Sequence, residues 1–163
     1  MKYLFALFLL SISLFGYAAE LEQKQLPKLP ALTLQMADGS SLNTKDLLGK
    51  PYILHFWATW CPYCKKLQPA LDQIHQQYQQ YGLQVIGVSF REDEGADPQQ
   101  SLISSGHHFK TAIKADLIAQ RLGIRGTPTT LFINMHGQVV WLTTTSNPNN
   151  EKLKANAAKL VKS

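Results

Sequence analysis

The chain has 163 residues, enough for one domain with a substantial buried core. Its net charge is +5, but the lysines and arginines are scattered and form none of the basic runs that mark nucleic-acid binding, so nucleic acid is excluded as a partner. Only two cysteines occur, too few for a disulfide framework, and both fall in one short stretch.

Residues 1–18 read as a signal peptide. Lys2 supplies the charge, and Tyr3 to Phe15 is apolar apart from Ser11 and Ser13. Gly16-Tyr17-Ala18 then presents small residues where a signal peptidase reads them, placing cleavage after about Ala18. The apolar run is shorter than the roughly 20 residues of a membrane span; an uncleaved N-terminal anchor is the competing reading. No cysteine follows the apolar stretch, which excludes lipid attachment there. Residues 19–28, polar with Pro27, form a linker, and a single domain is expected from 29 to 163.

Within that domain, Ala31–Gln35 and Ser41–Asn43 flank the turn signal Asp38-Gly39 and predict a small β-hairpin. Thr44 is the expected N-cap of a one-turn helix to Leu48, ended by Gly49. Tyr52–Trp57, apolar except for His55, predicts a central strand covered on both faces. From Pro62 the period changes. Leu67, Leu71, Ile74, Tyr78 and Tyr81 recur at helical spacing opposite a glutamine-rich face, with Pro69 inside the helix and Gly82 as its stop. Leu83–Phe90 predicts a strand, and Arg91–Asp97 an acidic loop. Asp97-Pro98 opens a helix to about Ser105. Phe109–Ile113 (strand), Asp116–Leu122 (helix), Thr130–Asn134 (strand), Gln138–Thr143 (strand) and a last helix from Asn147-Pro148 complete the order. Its apolar stripe is Leu153, Ala157, Leu160 and Val161. Strands alternating with helices predict an α/β fold around a mixed sheet.

Cys61 and Cys64 sit where the strand hands over to the helix. A helix N-terminus carries unpaired N–H groups and a partial positive charge, which favour a thiolate. A disulfide closing so short a gap removes little unfolded-chain entropy, so the pair suits exchange better than stapling. A single CxxC is half of a structural zinc site, with no second half in the sequence; no metal and no cofactor are expected. Cys61, at the helix start beside Trp60, is the expected nucleophile, and Cys64 the resolving thiol. Pro62 and Tyr63 between them tune the direction of exchange.

The chain resembles the thioredoxin superfamily, and within it the exported TlpA/ResA-like thiol-disulfide oxidoreductases. The resemblance rests on Gly49-Lys50-Pro51, Phe56-Trp57-Ala58-Thr59-Trp60-Cys61-Pro62-Tyr63-Cys64, Pro69, and Gly126-Thr127-Pro128-Thr129-Thr130-Leu131-Phe132-Ile133. It implies a thioredoxin fold over residues 29–163, with an N-terminal β-hairpin and an inserted αβ element between Arg91 and Ile124. It implies a cis Pro128, with the Thr127 backbone pairing to the substrate chain. It also implies a periplasmic, monomeric protein that reduces disulfides of exported client proteins and is recharged by a membrane electron donor of the DsbD/CcdA type. Dithiol oxidation or isomerisation, and a CxxC metal-delivery module, are the alternatives.

The sequence also departs from the family pattern. His55 stands on the strand, and Leu67 in the helix, where relatives often carry the carboxylate that takes the resolving thiol's proton. His55 is therefore read either as a neutral core residue or as a relay for the Cys64 proton. Thr129 follows the distal proline where proteins dedicated to cytochrome c maturation usually carry glutamate. His107 and His108 read as loop residues without a metal role, and Tyr52 and Trp141 as core.

Overall fold

The computed structural model describes residues 27–162. The expected signal peptide, its cleavage site and residues 19–26 lie outside the described residues. Eleven strands and helices follow in chain order, with two short 3-10 turns among them. They are β1 (Thr33–Gln35), β2 (Ser41–Asn43), β3 (Tyr52–Trp57), α1 (Pro62–Tyr78), β4 (Gln84–Ser89), α2 (Pro98–Ser104), β5 (Lys110–Ala112), α3 (Asp116–Arg121), β6 (Thr129–Ile133), β7 (Val139–Thr143) and α4 (Glu151–Leu160).

The main sheet has the order β5-β4-β3-β6-β7, and β1-β2 is a separate antiparallel hairpin. β3, β4 and β5 run parallel, while β6 and β7 continue the sheet antiparallel, which makes it mixed. β3 lies at the centre, and all six of its residues are buried. Successive side chains of a strand point to opposite faces, and here helices or loops cover both, which is why β3 reads as an unbroken apolar run. Ile53 and Trp57 pack with Leu67, Leu71 and Ile74 of α1 and with Leu153, Ala157 and Leu160 of α4. Tyr52, Leu54 and Phe56 face the other layer, with Leu34, Ile86, Val88, Ala119 and Ile124. Each fully buried leucine, isoleucine, valine or phenylalanine among them contributes about 1.5–3 kcal/mol relative to exposure.

The structure moves several boundaries for identifiable reasons. The first 3-10 turn is capped by Asn43, whose side chain accepts the Lys45 N–H at 2.9 Å; Thr44 instead accepts the Leu32 N–H at 3.0 Å. α4 begins at Glu151 because Asn150 caps it, while Asn147 closes a local turn onto Asn149. Tyr81 is 61% exposed and falls in the second 3-10 turn, so the apolar stripe of α1 ends at Tyr78. Pro27 and Lys28, read as linker, pair with the β6–β7 hairpin through Val139 and Gln138.

Gly87 on β4 has a positional role. The Trp57 indole N–H crosses from β3 to the Thr111 hydroxyl on β5 at 3.0 Å, and a Cβ on Gly87 would lie within 2.9 Å of both groups. A glycine in a strand interior marks such a close approach.

Candidate active site

After Trp57 the chain turns through Ala58-Thr59-Trp60, with the Cys61 N–H bonded to the Ala58 carbonyl at 3.1 Å. Cys61 is the N-cap of α1, in extended conformation, and Pro62 occupies the first helical position, where no N–H partner is needed. The Cys61 Sγ accepts the Cys64 N–H at 3.1 Å, so the first sulfur is aimed at the donors of the helix N-terminus. Cys61 and Cys64 are disulfide-bonded, with Cα atoms 5.3 Å apart. Both are buried, Cys61 at 2% and Cys64 at 0% exposure, whereas the flanking Trp60 and Tyr63 are exposed.

Sheet register brings the distal motif to the same end of the molecule. Phe56 of β3 pairs with Thr129 of β6, so the loop just before Thr129 lies beside the chain leaving β3 for Cys61. In that loop the Thr127–Pro128 peptide bond is cis, and the Thr129 hydroxyl donates to the Gly126 carbonyl at 2.8 Å. Pro128 is buried and Thr127 partly exposed.

The loop after β4 adds two residues that the sequence reading passed over within an acidic segment. Glu92 accepts the Thr59 N–H at 2.9 and 3.0 Å and the Thr59 hydroxyl at 2.5 Å. It also accepts the Ser89 hydroxyl. Arg91 offers its carbonyl to the Trp60 indole N–H at 2.7 Å. The signal for both was topological: the parallel pairing of Trp57 with Ser89 places the residues after β4 beside those after β3. In open α/β sheets, that carboxyl end is where ligands bind.

His55 is completely buried, with Nδ1 3.1 Å from the Thr130 hydroxyl. Burial pushes its pKa down to about 3, and the nearby His107 adds to the shift, so the imidazole is neutral. Among the described residues its Nε2 has no hydrogen-bond partner, and neither does Nε2 of the buried Gln68, one turn beyond Cys64 on α1. Leu67 is core.

Further along α1, Asp72 accepts the His108 N–H at 2.6 Å and the Gln76 amide at 2.6 Å, with His108 Nδ1 at 3.0 Å. Burial raises the Asp72 pKa, but these hydrogen bonds outweigh it and leave the carboxyl below its usual range. His107 stacks on Phe109, and Trp141 packs on Phe132, with ring centroids 6.0 and 4.8 Å apart.

Comparison with known proteins gives a consistent picture. The family described as Redoxin matches residues 24–160. The chain is similar to the thiol-disulfide oxidoreductase ResA of Halalkalibacterium halodurans, 33% identical over 108 residues, covering 66% of this chain and 61% of that protein. It is likewise similar to ResA of Bacillus thuringiensis, 31% identical over 127 residues, covering 77% of this chain and 73% of the relative. Among solved structures, a putative thiol:disulfide interchange protein DsbE from Chlorobium tepidum superposes with a TM-score of 0.75 at 25% identity, covering 84% of this chain and 97% of that one.

Proposed function

We propose that this chain, which belongs to the Redoxin family as a TlpA/ResA-like thiol-disulfide oxidoreductase with the thioredoxin fold, works in the cell envelope as a reductase of disulfides in exported proteins. The observation that carries the reading is the Cys61–Cys64 pair at the N-terminus of α1, with the cis Thr127–Pro128 loop at the same end of the sheet. A metal clip needs neither the helix N-terminus nor that loop.

In the proposed cycle, the Cys61 thiolate attacks one sulfur of a client disulfide, and the other client sulfur leaves as a thiolate. Thr127 offers its backbone to the client chain during attack. Cys64 loses its proton and attacks the Cys61 Sγ of the mixed disulfide, releasing the second client thiolate. The client gains two electrons and two protons, and Cys61–Cys64 returns to the disulfide. A membrane dithiol of the DsbD/CcdA type then reduces it by the same steps in reverse, with the protein acting as a monomer. The Sγ-directed N–H of Cys64 favours the Cys61 thiolate as attacking and leaving group. His55 is the proposed acceptor of the Cys64 proton, as a buried weak base that holds it only transiently. Export follows from the leader, with cleavage after about Ala18 and release into the periplasm.

Trapping tests the cycle. Cys64→Ser should accumulate a mixed disulfide between Cys61 and a client, released by dithiothreitol; Cys61→Ser should accumulate none. A reduction potential near about −270 mV supports the reductase direction, whereas one near about −120 mV would recast the protein as an oxidase.

A further inference from the structure

Arg91 joins the two halves of the site. Its carbonyl holds the Trp60 indole, next to Cys61, and its Nη1–H donates at 3.1 Å to the carbonyl of Arg125, which immediately precedes Gly126-Thr127-Pro128. Its own N–H is fixed by Asp116 Oδ1 at 3.0 Å, and its guanidinium lies 5.5 Å from the Phe90 ring centroid. Its φ is +55°, in the left-handed region that side-chain-bearing residues seldom adopt. A residue held in that region by contacts at its N–H, C=O and side chain is of the kind that clusters at functional sites.

Two clefts, of about 490 and 390 Å³, share the wall Gly123–Arg125. The first is lined by Arg91 and Asp116, and the second extends to Thr127, Pro128 and the half-exposed Leu142. Arg125 is exposed, and among the described residues its guanidinium has no ion-pair or hydrogen-bond partner. Asp116 lines the first cleft with both arginines and accepts the Arg91 N–H, while the neighbouring Glu92 carboxylate is turned away to Thr59 and Ser89, which leaves two guanidinium groups against one carboxylate along this wall. The wall between the clefts is therefore net positive, and it adjoins the loop over which a client chain would lie.

We propose that Arg125, backed by Arg91, selects client segments carrying an acidic side chain near the disulfide cysteine that Cys61 attacks; this rests on the reductase reading above. With the client backbone laid along Thr127, a neighbouring carboxylate reaches the shared wall. There a guanidinium fork matches it with two parallel hydrogen bonds. Both arginines are exposed, so the charge acts on encounter and on choice of partner, and salt screens it.

The test uses three disulfide-linked peptides of equal length in which the cysteine is flanked by glutamate, glutamine or lysine. Second-order rate constants are measured with the reduced protein by stopped flow. The glutamate peptide should react about tenfold faster than the lysine peptide at low salt, with the gap narrowing at about 0.5 M salt. Arg125→Gln should collapse the ratio to about twofold or less, Arg125→Lys should keep part of it, and Lys154→Gln on α4 should keep it whole. Reduction of all three peptides at equal rates, or a ratio that survives Arg125→Gln, overturns the proposal and leaves the reductase reading standing. Failure to reduce even the glutamine peptide overturns the reductase reading, and the selectivity falls with it.

Discussion

The Glu92 carboxylate accepts both the backbone N–H and the hydroxyl of Thr59, two positions before Cys61 and 33 residues away in sequence. The turn that presents Trp60 and Cys61 is thus held from outside itself. β4 carries the clamp to it by pairing in parallel with β3, and Ser89 at the end of β4 donates to the same carboxylate. Hydrogen bonds to a charged group contribute about 1.5–3 kcal/mol, and leaving Thr59's donors without an acceptor costs a similar amount.

Glu92→Ala is therefore expected to lose about 2–3 kcal/mol of stability in urea denaturation, and Glu92→Gln, which keeps one acceptor oxygen, less. Because the clamp positions Cys61, the two variants should also alkylate more slowly at Cys61, in the order wild type, Gln, Ala. Loss of stability with unchanged alkylation would reduce Glu92 to a structural support.

The contrast between what the sequence reveals and what it hides follows the range of each signal. Element order, the N-cap of α2 at Asp97, the CxxC at a strand-to-helix junction and the distal Thr127-Pro128 were legible because each depends on neighbours a few residues away. Arg91 and Glu92 were hidden inside a charged loop, since their partners Trp60, Thr59 and Arg125 lie 31 to 34 residues distant. Asp72 and Gln68 escaped for a related reason: a polar residue on a helix reads as solvent-facing until an element folds over it. Here the His108 loop covers Asp72. Asn43 displaced Thr44 as a cap because the Thr44 hydroxyl was drawn to Leu32, a long-range partner.

Gly87 carries a second prediction. Alanine would normally favour a strand interior over glycine by about 0.5–1 kcal/mol. At this position the added Cβ would sit 2.6 Å from the Thr111 Oγ1 and 2.9 Å from the Trp57 Nε1. Overpacking costs about 1–3 kcal/mol, and parting a buried indole N–H from its acceptor about 1–3 more. Gly87→Ala should therefore destabilise by roughly 3 kcal/mol or more, and Thr111→Ala in the same chain should recover part of the loss. A neutral Gly87→Ala would mean that Trp57 and Thr111 can separate freely.

His55 as acceptor of the Cys64 proton makes a kinetic prediction of definite sign. A base is needed where Cys64 is a thiol and is superfluous once solvent has already made the thiolate. His55→Gln should slow release of the mixed disulfide near pH 6 by a few-fold at most, since a base of pKa about 3 gives little driving force, with the deficit vanishing above about pH 9. Wild type should show no inflection near pH 6.5 from this imidazole, because its pKa is pushed down to about 3. A deficit that is uniform across pH would leave His55 as a packing residue.

The same buried imidazole ties stability to pH. In the unfolded chain it takes up a proton below about 6.5, whereas in the fold it stays neutral until about 3. Between those values the unfolded state binds more protons, so stability falls as pH falls, with a slope from this group of up to about 1.4 kcal/mol per pH unit. His75 and His107 are also lowered by burial, which adds the same sign. Asp72 joins them at lower pH: its carboxyl is held below its usual 3.8, so its contribution is present above that value and is lost as pH drops through the folded one. Urea unfolding followed from pH 7.5 to 4 should show a steady decline in stability, and His55→Gln should be shallower by about one proton's worth of slope. Identical slopes for the two proteins would mean that His55 is protonated inside the fold, and the neutral imidazole beside Thr130 would have to be abandoned.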